Sequence, residues 1–177
     1  MDKMNASLVL YILMLLAVVM SIGKWKNASD FISKLGVKKA DFRKEMVTAF
    51  VYLGILLLVS VAVELVMSSL GLQKDMQRVT DVLQGANPAD LFIILSIASF
   101  VEEIFFRGYL QRKTNLIFAS FVFAYFHIIY GSISEIVGAF FLGLVLGKEY
   151  QKTNNLIAPI MSHFFYNLVI IALMFGA

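Results

Sequence analysis

The 177-residue sequence contains no cysteine, so disulfides and thiolate chemistry are excluded. Charge is scarce: Asp, Glu, Lys and Arg make up 15% of the residues against 60% apolar ones, and the mean hydropathy is +0.82. A soluble domain of this length could not cover so large an apolar fraction with so little polar surface. The net charge of +3 is modest, and no nucleic-acid partner is expected. Histidine is confined to His127 and His163. There is no internal repeat, no low-complexity run and no sign of a second domain.

The apolar residues come in blocks nearly free of charge: Leu8–Ile22, Val47–Met67, Leu91–Val101, Leu116–Tyr130, Ile136–Gly147 and Leu156–Phe175. A helix that crosses the hydrocarbon layer needs about 20 such residues. The blocks predict an all-α fold, a polytopic membrane bundle of about six transmembrane helices, as one domain over residues 1–177 in a multi-pass cell-membrane protein. The first block reads as a span rather than a cleaved signal, because Ser21-Ile22-Gly23-Lys24 is a poor small-residue cleavage site.

Orientation follows from where the cations fall. Residues 23–46 carry Lys24, Lys26, Lys34, Lys38, Lys39, Arg43 and Lys44, and Arg112, Lys113, Lys148 and Lys152 fall on the same side. The positive-inside rule places that side in the cytoplasm and both termini outside. Local signals predict a short surface helix between Ser29 as cap and Gly36 as stop, with Phe31, Ile32 and Leu35 in the interface. Asp41 is predicted to cap the second span, and Asn87-Pro88-Ala89-Asp90 to start the third.

Ionisable groups within a span are costly and mark function. Glu102, Glu103 and Arg107 lie in the third span, His127 in the fourth and His163 in the sixth, while Glu64 and Glu135 are expected to be interfacial. On a helix Glu103 and Arg107 stand at i and i+4 with the glutamate first, the favoured order for an ion pair. Glu102 points about 100° away and needs a partner from another helix or a wet cavity. His163 shares a helix face with Asn167, and Phe123 with His127. At ~1.5 Å per residue, Glu102, His127 and His163 lie at comparable depth, so they are expected to converge in a cavity open to the cytoplasm. Gly143 and Gly147 are expected to form a close-packing face on the fifth span.

Several intramembrane hydrolase designs do not fit. Neither histidine begins His-Glu-x-x-His, no aspartate lies in a span for an aspartyl dyad, and Gly131-Ser132-Ile133 does not match the Gly-x-Ser of rhomboid-type serine proteases. A carboxylate and a histidine that activate water remain, with His and Asn as hydrogen-bond donors to an oxyanion.

Glu102-Glu103-Ile104-Phe105-Phe106-Arg107 matches EExxxR, Phe123-Ala124-Tyr125-Phe126-His127 matches FxxxH, and His163-Phe164-Phe165-Tyr166-Asn167 matches HxxxN. In this order and spacing, on three separate apolar spans, residues 88–175 resemble the CAAX protease and bacteriocin-processing (Abi) family. The resemblance implies an intramembrane endopeptidase that hydrolyses a peptide or membrane-protein substrate at the cytoplasmic side. It implies that Glu102 and His127 activate water, that His163 and Asn167 stabilise the oxyanion, and that Glu103 and Arg107 support the site. It leaves open whether Glu102, His127 and His163 hold a divalent metal such as zinc. The reading from another class is a non-catalytic bacteriocin-immunity or scaffold protein.

Overall fold

The computed structural model describes residues 3–176, with side chains from residue 7, so the positions expected for the chain ends fall on residues 1, 2 and 177, outside the described residues. The described residues are helical throughout, without a strand. The helices are α1 (Lys3–Ile22), α2 (Ala28–Leu35), α3 (Phe42–Ser69), α4 (Gln73–Gln84), α5 (Pro88–Glu102), α6 (Leu116–Phe126), α7 (Ile133–Thr153) and α8 (Ile157–Phe175). α5 continues as a π-helical stretch over Glu103–Gln111, and α6 ends in a 3₁₀ turn over His127–Tyr130. Two helices, α3 and α8, are long and apolar enough to cross a membrane, while the apolar parts of α1 and of α6 with its 3₁₀ turn are shorter.

The helix boundaries follow local chemistry. Asp41 accepts from Arg43 N at the start of α3, and Asn87 accepts from Ala89 N with Pro88 behind it. Pro159, the other proline, sits in the first turn of α8, where its missing N–H is not needed. α2 is capped by Asn27, not Ser29, because the Asn27 side chain reaches Asp30 N at 2.9 Å. Gly36 stops α2 at φ 105°, a left-handed conformation that favours glycine.

α3 buries only Glu45, Ala49, Leu56 and Met67. Val47, Phe50, Val51, Leu58, Val61 and Leu65 are each more than half exposed, an apolar surface that suits lipid and not water. α7 lies at the centre of the bundle against α3, α6 and α8. Its small residues set the spacing. A Cβ on Gly143 would meet Ser120 and Phe123 at 3.2 Å, and one on Gly147 would overlap Leu116 and Gln111. The uncovered carbonyls at these glycines accept from the π-helical stretch: Arg107 Nη2 donates to Gly143 O at 3.2 Å, and Gln111 Nε2 to Gly147 O at 3.0 Å. Both donor and acceptor pairs step by four residues, so two helices that run in the same direction are stitched at successive turns.

Candidate active site

Burial of charge starts at Arg107. Arg107 and Glu103 are almost fully enclosed, and Arg107 Nη1 donates to Glu103 Oε1 at 2.9 Å. The guanidinium also stacks 4.6 Å from the Phe123 ring centroid. The pair expected from i, i+4 spacing is therefore present, although the backbone there is π-helical rather than α-helical. Such stretches are common at functional sites because one wider turn re-aims several side chains. The same Glu103 oxygen accepts from His163 Nδ1 at 2.9 Å. Glu103 thus ties the π-helical stretch to α8 and fixes the ring of His163, leaving Nε2 as its uncommitted nitrogen.

Glu102 turns away from this knot, as helix geometry requires. Its Oε1 accepts from the Tyr11 hydroxyl of α1 at 3.2 Å. His127 stands where α6 tightens into its 3₁₀ turn, and its Nδ1 donates to Phe123 O at 2.9 Å. A carbonyl can only accept, so Nδ1 carries the hydrogen, and in the neutral ring Nε2 holds the lone pair. Asn167 is held by α5. Its Nδ2 group donates to Ser99 Oγ at 3.1 Å and to Leu95 O at 3.3 Å. Both amide hydrogens are engaged by α5, one turn apart, so none is left for an oxyanion in this geometry.

Glu102, His127, His163 and Asn167 line one cavity of about 520 Å³ with Tyr11. Its wall continues over Leu56 to Ser68 of α3, Ser134 to Leu146 of α7 and Tyr166 to Met174 of α8, and α4 closes it with Gln73, Met76, Gln77, Thr80 and Leu83. The cavity extends from mid-bundle to α4, and none of residues 23–46 lines it. Glu64 and Glu135, expected to be interfacial only, also line it.

A metal does not fit the donor set. Among the described residues no three His, Asp or Glu side chains converge in ligand geometry. His163 faces Glu103 instead of Glu102, and the Nδ1 of His127 is spent on its own helix. The metal site at Glu102, His127 and His163 that the resemblance left open thus finds no support in the arrangement of these side chains.

Sequence reasoning missed Tyr11, which no spacing rule connects to a glutamate 91 positions later. It also missed a buried polar layer below the site. Ser162, the neighbour of His163, donates to Glu149 Oε2, and Glu149 is fully buried. One turn further, Glu45 Oε2 accepts from Ala158 N at 3.1 Å, a carboxylate at the positive end of α8. The only signal in the sequence was Ser162 next to His163, since Glu149 lies in the charged run Lys148-Glu149-Tyr150-Gln151-Lys152 and reads as a solvated residue.

Residues 84–169 match the family model described as type II CAAX prenyl endopeptidase Rce1-like. The matched segment takes in α5, α6, α7 and most of α8, with all three motifs, and leaves out α1 to α3. One similar curated protein is the uncharacterized protein YpbD of Bacillus subtilis (strain 168), 39% identical over 85 residues that make up 46% of this chain and 43% of that protein. The chain therefore spans less than half the length of that relative. No solved structure gives a significant match.

Proposed function

We propose, from the premise that residues 84–169 belong to the Rce1-like family of type II CAAX prenyl endopeptidases, that this chain is a membrane-embedded peptide-bond hydrolase with about six spans and its reaction centre at Glu102, His127 and His163. The observation that carries the reading is the shared cavity. In a bundle this apolar, polar side chains from all three motifs, Glu102, His127, His163 and Asn167, line the same space.

Each residue has a role its contacts suit. One oxygen of Glu102 is held by Tyr11, so the other is free to take a proton from a water molecule. His127 Nε2 is a second acceptor that orients that water. The water oxygen bonds to the scissile carbonyl carbon, and its proton passes to Glu102. Charge develops on the carbonyl oxygen, where His163 protonated at Nε2 donates to it while Glu103 holds the ring from behind. When the tetrahedral centre collapses, the C–N bond breaks and Glu102 returns its proton to the departing amine. The products are a new carboxyl end and a new amino end. Asn167 acts as a positioning residue, because its bonds to Ser99 and Leu95 set the angle of α8 against α5. The substrate is a peptide or membrane protein that reaches the cavity from the bilayer or from the α4 end.

The test is cleavage of a peptide panel, prenylated CAAX peptides included, by purified protein in lipid nanodiscs, read by mass spectrometry. Wild type is expected to release defined fragments. Glu102→Gln and His127→Ala are each expected to lose at least about a hundredfold in rate, the usual worth of a general base, with an unchanged melting temperature. Full activity in folded Glu102→Gln, or no cleavage of any peptide by wild type, sinks the reading.

A further inference from the structure

The segment matched to the family begins at residue 84, yet Glu102 is held by a side chain far upstream of it. α1 presents Tyr11, Met14 and Val18 on one stripe, three and four residues apart, as an inward helix face requires. Met14 and Val18 are 4% and 2% exposed. Met14 packs in the same cluster as Val101, Phe106 and Phe123, next to two of the three motif helices, and Tyr11, Leu10 and Leu15 pack around that cluster. The stripe anchors α1 so that the Tyr11 hydroxyl enters the cavity wall and meets Glu102 Oε1 at 3.2 Å. Nothing else among the described hydrogen bonds or ion pairs reaches the Glu102 carboxylate. No other described hydrogen bond or ion pair fixes its rotation about the last side-chain bond, so one donor decides which oxygen faces the cavity.

We propose that Tyr11 is a positioning residue of the reaction centre: its hydroxyl occupies Glu102 Oε1 and aims Oε2 at the attacking water, so that α1 completes an active site whose other parts all lie in residues 84–169. The proposal rests on the hydrolase reading above. Its physical content is an entropy argument. A general base must be held in hydrogen-bond reach of the proton it takes, and a carboxylate free to rotate spends part of its time out of reach. Tyr11 touches neither water nor substrate in this role, so its loss lowers the fraction of productive Glu102 and leaves substrate affinity alone.

Tyr11→Phe removes one oxygen and keeps the ring that packs on α5. In nanodiscs it is expected to lower kcat about tenfold, the worth of one hydrogen bond to a charged group, with KM and melting temperature unchanged. A purely structural tyrosine would instead lower the melting temperature and leave the kcat of the folded fraction intact. Unchanged kcat overturns the proposal, and so does a raised KM at constant kcat, which would make Tyr11 a substrate contact. A second measurement stands apart from cleavage. In a double-mutant cycle with Glu102→Leu, the melting-temperature shifts of Tyr11→Phe and Glu102→Leu are expected to be non-additive, because the leucine strands the hydroxyl that phenylalanine lacks. Additive shifts overturn the contact. Coupled melting without any wild-type cleavage leaves the contact standing and removes its catalytic meaning, so the hydrolase reading and the Tyr11 role fail separately.

Discussion

At the basic end of the bundle, Asn155 exchanges two hydrogen bonds with Lys38, donating to its carbonyl at 3.0 Å and accepting from its N–H at 3.1 Å, while Leu156 N donates to Gly36 O and Arg112 to Lys34 O. Glu45 adds a buried carboxylate on the first turn of α8. At the α4 end the contacts are fewer, and they reach the buried Ser132 and Ser134 from a helix that is itself unburied. Asp75 accepts from Ser132 Oγ at 2.9 Å and Ser134 N at 2.8 Å, Arg78 donates to Gly131 O, Gln84 to Met174 O, and no residue of α4 is buried. Free energy of local opening tracks buried contacts. One end is therefore a closed clasp and the other a cover, and the cavity lies under the cover.

The sharpest way to break this comparison is to ask which end faces the cytoplasm. The cations lie at the clasped end, so the positive-inside rule puts that end in the cytoplasm and the cover outside. With no native cysteine, Lys34→Cys and Gln77→Cys report cleanly. In intact cells an impermeant thiol reagent is expected to label position 77 and not 34, an all-or-none difference. Labelling at 34 alone reverses the assignment and puts the cavity on the cytoplasmic side.

Next in size is the core that separates the two ends. Arg107→Ala leaves Glu103 buried with only His163 to answer it, and one-sided removal of a buried pair costs about 3–5 kcal/mol. A melting temperature within a few degrees of wild type contradicts this. Asn155→Ala should cost less, about 1–3 kcal/mol, since it strands the neutral backbone groups of Lys38 and loses only a long 3.4 Å contact to Glu45, whose other oxygen keeps Ala158 N.

The EExxxR pairing was legible because an i, i+4 pair is local, and helix starts at Asp41 and Asn87 were legible for the same reason. Gly143 and Gly147 announced close packing correctly. Tyr11 with Glu102, Glu149 with Ser162, and Asp75 with the start of α7 join residues from different helices, and a single sequence holds no term for such contacts. The π-helical stretch was missed because its residues have ordinary α-helical preferences, and tertiary bonds to the Gly143 and Gly147 carbonyls accompany the wider turn. The lining of the cavity by α4 was not legible because residue depth along a helix says where groups meet and not which way the space between them extends. The spans expected beyond α3 and α8 stay a reading from hydropathy, since length and composition alone single out those two.

The smallest expected effect concerns the cover itself. Asp75 works as a cap from outside the helix: it accepts from Ser134 N in the first turn of α7, beside the true cap Ser132. That backbone N–H is the main reason its carboxyl is held below the usual carboxylate range; burial opposes the shift, and the hydroxyls of Ser134 and Ser132 assist it. A carboxyl whose folded pKa is depressed contributes stability that is fully present above its unfolded value of about 3.9 and is lost as pH falls below that toward the folded value. The sign is therefore loosening in acid and no change between pH 5 and 8 from this group. Asp75 is partly exposed, so solvent screens the interaction, and a carboxylate at a helix start is worth only about 0.3–1 kcal/mol. Amide hydrogen exchange, corrected for intrinsic rate, is expected to show α4 losing protection between pH 4.5 and 3 while α7 below its first turn holds. Asp75→Asn should reduce α4 protection at pH 7 by two- to fivefold and remove the acid step. An acid step of equal size in Asp75→Asn would assign it to another group, and equal loss in α4 and mid-α7 would mean that the two ends of the bundle open together.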